Sequence, residues 1–224
     1  MQFDMANPQL IDELILRDYY YLNEEDECFF FHVYHANKGF KFSEYNQLIS
    51  NFKKKLDRKG QYDWKYKHEA VKKVASILRS TLATIKTPVT IIPIPPSLCK
   101  TDAMYDDRML QTLKLASIGL KNIIVRDIIS LQENREASHS GSRTRLSPLQ
   151  LQKLLILEDD PPIHSKNVIL VDDVITTGSQ FKACKMLLLE NYENINVTGL
   201  FVARTQHDNN PADDFSEELD DNIW

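Results

Sequence analysis

Val168-Ile169-Leu170-Val171-Asp172-Asp173-Val174-Ile175-Thr176-Thr177-Gly178-Ser179 is the stretch on which the reading of this 224-residue chain turns. Four consecutive apolar residues, Val168 to Val171, describe a strand covered on both faces, and strands of that kind belong to parallel sheets flanked by helices. Two carboxylates and a hydroxyl-rich turn around Gly178 follow. Phe181, Cys184, Leu187 and Leu188 then recur at helical spacing. Strand, turn and helix therefore succeed one another. In open α/β sheets ligands sit beyond the carboxyl ends of the strands, where the next helix offers unpaired N–H groups and the positive end of its dipole. A phosphate fits such a turn. Gly178 lets the backbone approach it without a β-carbon, and the hydroxyls of Thr176, Thr177 and Ser179 add donors. Asp172 and Asp173 would repel an anion but accept hydrogen bonds from hydroxyls, and a ribose offers two side by side. Donors for a phosphate beside acceptors for a diol describe a ribose 5-phosphate site.

Working outward, Val89 to Ile94 reads as a strand that must stop at Pro93-Ile94-Pro95-Pro96, because proline cannot donate to a sheet ladder. A helix is expected from about 103 to 118, and further strands over Asn122 to Ile129 and Val197 to Ala203. Ahead of them Ala70, Val71, Val74, Ile77, Leu78 and Leu82 step by threes and fours, which predicts a long helix over Trp64 to Thr84. The pattern is α/β, a mainly parallel sheet flanked by helices over residues 65–206. Residues 1–64 read as an N-terminal α+β lobe, with a helix over Gln9 to Leu22, a strand over Cys28 to His35, and a turn at Ala36 to Gly39 leading to a second strand around Phe40, a hairpin. The polar stretch from about 132 to 157 is too long for a plain connection and reads as a lid-like insertion. Residues 207–224 hold seven acidic residues and no Lys or Arg, an acidic tail expected to be disordered, whose Trp224 suits docking on a protein partner or a second copy of the chain.

The composition, 42% hydrophobic and 26% charged, is that of a globular chain, and a formal net charge of −5 argues against general nucleic-acid binding. No apolar run approaches the roughly 20 residues of a membrane span, and the first residues lack a secretory pattern, so a cytoplasmic location is expected. Cys28, Cys99 and Cys184 are too scattered for a zinc ribbon and read as reduced thiols. His32 and His35, three apart on a strand, point to opposite faces and make a poor metal pair. The run Lys53-Lys54-Lys55 with Arg58 and Lys59 reads as the solvated face of a helix. Neither a P-loop nor a Gly-x-Gly-x-x-Gly pattern occurs.

The quoted stretch resembles the phosphoribosyl-diphosphate signature of the type I phosphoribosyltransferases, closely over a dozen residues and loosely over about 65 to 206. Gly199 to Thr205, with the proline loop, makes the chain most similar to the ComF-like group, although that group's N-terminal four-cysteine zinc element is missing. The resemblance implies the type I phosphoribosyltransferase fold, with substrate held by Asp172, Asp173, Val174, Ile175, Thr176, Thr177, Gly178, Ser179 and Gln180. Gln180 departs from the small or hydroxyl residue usual there. By the same resemblance Pro95, Pro96 and Ser97 would hold the diphosphate with Arg108 close behind. The insertion would be the hood, from which Arg143 and Arg145 clamp the diphosphate, the catalytic set being Asp172, Asp173, Arg143 and Arg145. Mg²⁺ would be held mainly by the substrate near Asp172 and Asp173 rather than by a dedicated protein site. The implied activity is transfer of a phosphoribosyl group to an unknown acceptor with release of diphosphate. The alternative is a non-catalytic module that binds phosphoribosyl diphosphate or a nucleotide as a regulator or complex subunit.

Overall fold

The computed structural model describes residues 7–135, 146–158 and 162–206. In chain order these form β1 (Gln9–Leu10), α1 (Glu13–Leu16), β2 (Cys28–His35), α2 (Glu44–Phe52), α3 (Lys65–Leu82), β3 (Val89–Pro93), α4 (Arg108–Ala116), β4 (Ile123–Val125) and β5 (Ile129–Leu131). After the insertion come α5 (Pro148–Gln152), β6 (Leu155–Leu157), β7 (Asn167–Ile175), α6 (Ser179–Asn191) and β8 (Asn196–Gln206). The architecture is α/β. Six strands form one sheet in the order β1-β2-β8-β7-β3-β4, parallel throughout except at the β1 edge, and β5 with β6 makes a separate antiparallel ribbon.

Successive strand residues point to opposite faces, so each inner strand serves two cores. On one face Phe31, Ile91, Val171 and Val202 meet Leu48 and Phe52 of α2, Val74 and Leu78 of α3 and Leu113 of α4. On the other Phe30, Ile92, Leu170 and Phe201 meet Phe181, Cys184 and Leu188 of α6, together with Leu131, Leu151 and Leu155 of the insertion. The long helix forms where the apolar spacing predicts it, α3 burying Ala70, Val74, Leu78 and Leu82. No helix of the described residues is long and apolar enough to cross a membrane.

Three expectations are corrected. The helix over Gln9 to Leu22 shrinks to the four residues of α1, because Gln9 and Leu10 pair with Phe30 and Phe29 as an edge strand. No strand forms at Phe40. The chain turns through Asn37 and Gly39, both at positive φ, and enters α2 at its Ser43 cap. β2 pairs instead in parallel with β8, from Cys28↔Gly199 to His35↔Gln206. A strand carrying Phe29, Phe30 and Phe31 is apolar on both sides, and a lone hairpin cannot cover both. Finally, Asn122 to Ile129 is two strands, β4 in the main sheet and β5 at the base of the insertion.

The strand order creates a crevice. From β3 the chain steps to β4 on one side, then returns to β7 on the other side of β3. Between β3 and β7 the winding reverses, so the connections that follow the two strands turn to opposite faces and leave a crevice beyond the strands' carboxyl ends.

Candidate functional site

β3 and β7 run in register to Pro93↔Val171, and the Ile94 amide donates to the Val171 carbonyl at 2.9 Å, so the proline loop leaves the sheet beside Asp172. β7 itself runs past its apolar core. Asp172, Val174 and Ile175 still pair with Phe201, Ala203 and Arg204 of β8, which holds the acidic pair within the strand rather than in the turn. The two carboxylates consequently face different surroundings.

Asp173 is only 3% exposed. One oxygen lies 3.0 Å from Lys53 Nζ and the other accepts from Arg108 Nη2 at 3.0 Å. Arg108, the first residue of α4, also reaches Asp106 at 3.2 Å and lies over the Phe52 ring. Asp106 in turn accepts from the buried Lys67 at 2.7 Å, and Lys67 donates further to the carbonyls of Phe52 and Lys54. Positive and negative groups alternate along this chain of contacts. Burial alone would raise the Asp173 carboxyl, but Lys53 and Arg108 hold it below the usual carboxylate range. Lys53 lies outside the reading of the lysine run as a solvated face: α2 ends at Phe52, Lys53 caps it, and its side chain turns inward to Asp173. Lys54 likewise turns to Asp63.

Asp172 is half-buried and accepts only from the Asp173 amide among the described residues, at 2.7 Å. Burial, with Asp173 beside it, pushes its carboxyl up to about 7. It is the member of the pair with an oxygen to spare.

The turn after β7 bends at Gly178, whose φ of +82° is a conformation that side-chain-bearing residues rarely adopt. A β-carbon there would also stand 2.6 Å from Leu22 Cγ and Cδ2. Gly178 therefore answers to the N-terminal segment as well as to any ligand. The Tyr21 amide donates to the Thr177 carbonyl at 3.1 Å, and Asp26 takes Lys182 and Lys185 of α6 at 2.6 and 2.7 Å, which fastens that segment onto the turn. Val174 and Ile175 are buried in the sheet. Thr176 is exposed, and Ser179 donates its hydroxyl to the Leu146 carbonyl at 2.7 Å. Among the described residues the amides of Thr176, Thr177 and Gly178 donate to nothing, while the Ser179 amide reaches only Thr177 Oγ1 at 3.5 Å. Free amides at the start of a thirteen-residue helix are donors of the kind an anion can accept.

On the α6 side of the crevice Gln180 faces Pro95 and Arg135. With its carboxamide oxygen turned to the guanidinium, it accepts from Arg135 at 2.8 and 3.2 Å. Pro95 is buried, Pro96 half-buried and Ser97 exposed, the Ser97 carbonyl accepting from the Arg135 amide at 2.9 Å. The fold thus brings together Asp172, Asp173, Thr176 to Gln180, Pro95 to Ser97 and Arg108. Arg143 and Arg145 lie outside the described residues, as does the 207–224 tail. Reading by sequence alone missed Lys53, Lys67, Asp106 and Arg135. Asp106 adjoins a residue already singled out, but no spacing links the other three to β7.

No group of three or more His, Cys, Asp or Glu suited to a metal occurs among the described residues. Cys28, Cys99 and Cys184 are free and buried, and His32 is buried and stacked on Tyr45. Searches against protein-family models and against curated proteins find no match to this chain.

Proposed function

We propose that the chain has the type I phosphoribosyltransferase fold, binds phosphoribosyl diphosphate in the crevice between β3 and β7, and transfers the phosphoribosyl group to an acceptor. One observation carries the reading: at the point where the sheet's winding reverses, three undonated amides at the start of α6 adjoin a carboxylate with a free oxygen. The amides of Thr176, Thr177 and Gly178 and the hydroxyls of Thr176 and Thr177 take the 5-phosphate, and Asp172 accepts from the ribose hydroxyls. Asp173, with both oxygens occupied, sets Lys53 and Arg108 in the crevice, where their charge favours the diphosphate beside Pro95, Pro96 and Ser97.

A nucleophile on the acceptor attacks the anomeric carbon, the carbon–oxygen bond to diphosphate breaks with its electron pair leaving on the diphosphate, and the acceptor's proton passes to solvent. The protein's work is to orient the reactants and keep water out. The residues fit Mg²⁺ carried by the substrate, because Mg²⁺ needs only one or two carboxylates besides phosphate oxygens and Asp172 is the one free to serve. When bound, the ion would neutralise charge on the departing diphosphate.

Thermal unfolding with ligand tests the site. Phosphoribosyl diphosphate with Mg²⁺ at about 100 times its dissociation constant should add about 2.7 kcal/mol, and EDTA should remove much of that gain. No shift with phosphoribosyl diphosphate or any ribose 5-phosphate nucleotide would overturn the assignment. Diphosphate release that one member of a base and amine panel accelerates would establish transfer, and saturable binding without such release would restrict the function to binding.

A further inference from the structure

Gln180 is the residue that departs from the motif, and the structure supplies its partner. Arg135 leaves the end of β5 held by two consecutive anchors: its own amide donates to the Ser97 carbonyl, and the neighbouring Asn134 accepts from the Cys99 amide at 2.8 Å and donates to Asp102 at 2.6 Å. These fasten the base of the insertion to the proline loop. Arg135 lines a cleft together with Pro95, Gln180 and the apolar Ile94, Leu131, Leu151 and Leu155. Apolar walls are a costly place for a guanidinium.

No carboxylate among the described residues pairs with that charge directly. Arg135 forms no ion pair among them, its Nε is buried with no partner, and Asp172 acts on it only through space. Burial consequently lowers the Arg135 pKa. The Gln180 carboxamide, the second residue of α6, orients the guanidinium without neutralising it. A glutamate in its place would do both. The arrangement holds a half-buried cation without an ion-pair partner between the proline loop and the first turn of α6. In that setting a phosphoryl oxygen is the partner whose charge and planar oxygen pair match the guanidinium fork.

The geometry points to Arg135 and Gln180 as one anion clamp for a phosphoryl group of the ligand, Arg135 supplying the charge and Gln180 positioning it. This rests on the reading of the crevice as a phosphoribosyl-diphosphate site. The clamp takes the place of the small or hydroxyl residue at position 180 in the resembling motif.

Calorimetry with phosphoribosyl diphosphate and Mg²⁺, ribose 5-phosphate, and inorganic diphosphate separates the sources of the phosphoryl group. Arg135→Gln removes a cation without an ion-pair partner, so it should melt no lower than the parent, yet it should weaken phosphoribosyl diphosphate about ten- to hundredfold, the range of a charge-assisted hydrogen bond. A parallel loss for inorganic diphosphate alone assigns the clamp to the diphosphate, and a loss for ribose 5-phosphate assigns it to the 5-phosphate. Gln180→Glu supplies the missing countercharge and should move two readouts in opposite directions, raising the melting temperature while weakening the anions at least tenfold. A purely structural pair would give the rise without the loss. If both variants bind all three anions as the parent does, the clamp is overturned and the proposed function stands. If the parent binds none of the three, both fall.

Discussion

The two faces of the sheet treat charge differently where they meet the crevice. On the face of α2, α3 and α4, the groups Lys53, Asp173, Arg108, Asp106 and Lys67 alternate in sign and each has an ion-pair partner, Arg108 Nε being a buried donor left over. On the α6 face, Arg135 has no ion-pair partner among the described residues and its Nε no acceptor, and the amides of Thr176, Thr177 and Gly178 donate to nothing there. Charge that is paired internally holds the fold's shape, whereas donors left unpaired hold binding capacity in reserve. The acidic pair straddles this division. Asp173 belongs to the paired side and Asp172 to the open one, although the two are adjacent in sequence and identical in chemistry.

The division can be broken at its strongest point first. Asp173→Ala leaves Arg108 and Lys53 without their shared anion, and removing one partner of a buried ion pair typically costs about 3–5 kcal/mol. Urea unfolding measures it, and a loss below about 1 kcal/mol would show that the network is not the keystone of that face.

The next effect lies at the turn. Gly178→Ala puts a β-carbon into the left-handed region, at about 1–2 kcal/mol, and forces Leu22 to move, at about 1–3 kcal/mol more. Leu22→Ala in the same chain should relieve the second part of that extra cost but not the first. If the double variant shows no such coupling in unfolding experiments, Leu22 is not what limits the site.

The smallest stability effect, and the most discriminating, is expected at Asp172. Its carboxyl is raised, so between the usual carboxylate value of about 4 and its own value of about 7 the folded chain holds a proton that the unfolded chain has lost. Stability therefore falls as pH rises through that window. Asp172→Asn removes the slope: the variant should match or exceed the parent in melting temperature at neutral pH, with the advantage shrinking toward pH 4. The same variant should weaken phosphoribosyl diphosphate. A substitution that keeps the fold and loses the ligand at Asp172, beside one that loses the fold at Asp173, would sharpen the contrast. Equal behaviour of the two would erase it.

Local physics made much of this legible in the chain itself. A four-residue apolar run, proline's missing N–H, three- and four-residue apolar steps and a glycine turn before a helix are short-range signals, and they predict β7, the end of β3, the span of α3 and the start of α6. They also single out Asp172, Asp173 and Thr176 to Ser179 as candidate ligand groups, whereas Gln180, Pro95 to Ser97 and Arg108 entered through the resemblance to a known family. Tertiary structure decided what those residues do to one another. Parallel pairing of β2 with β8 turned an expected hairpin into an internal strand, because its two aromatic faces are covered only within a sheet that carries helices on both sides. Lys53 reaches Asp173, Leu22 closes on Gly178 and Arg135 meets Gln180 across connections that carry no periodicity. Pairing of that kind depends on which strand ends the winding order brings together, and a charge's neighbours, not its residue type, determine whether it is spent on the fold or left for a ligand.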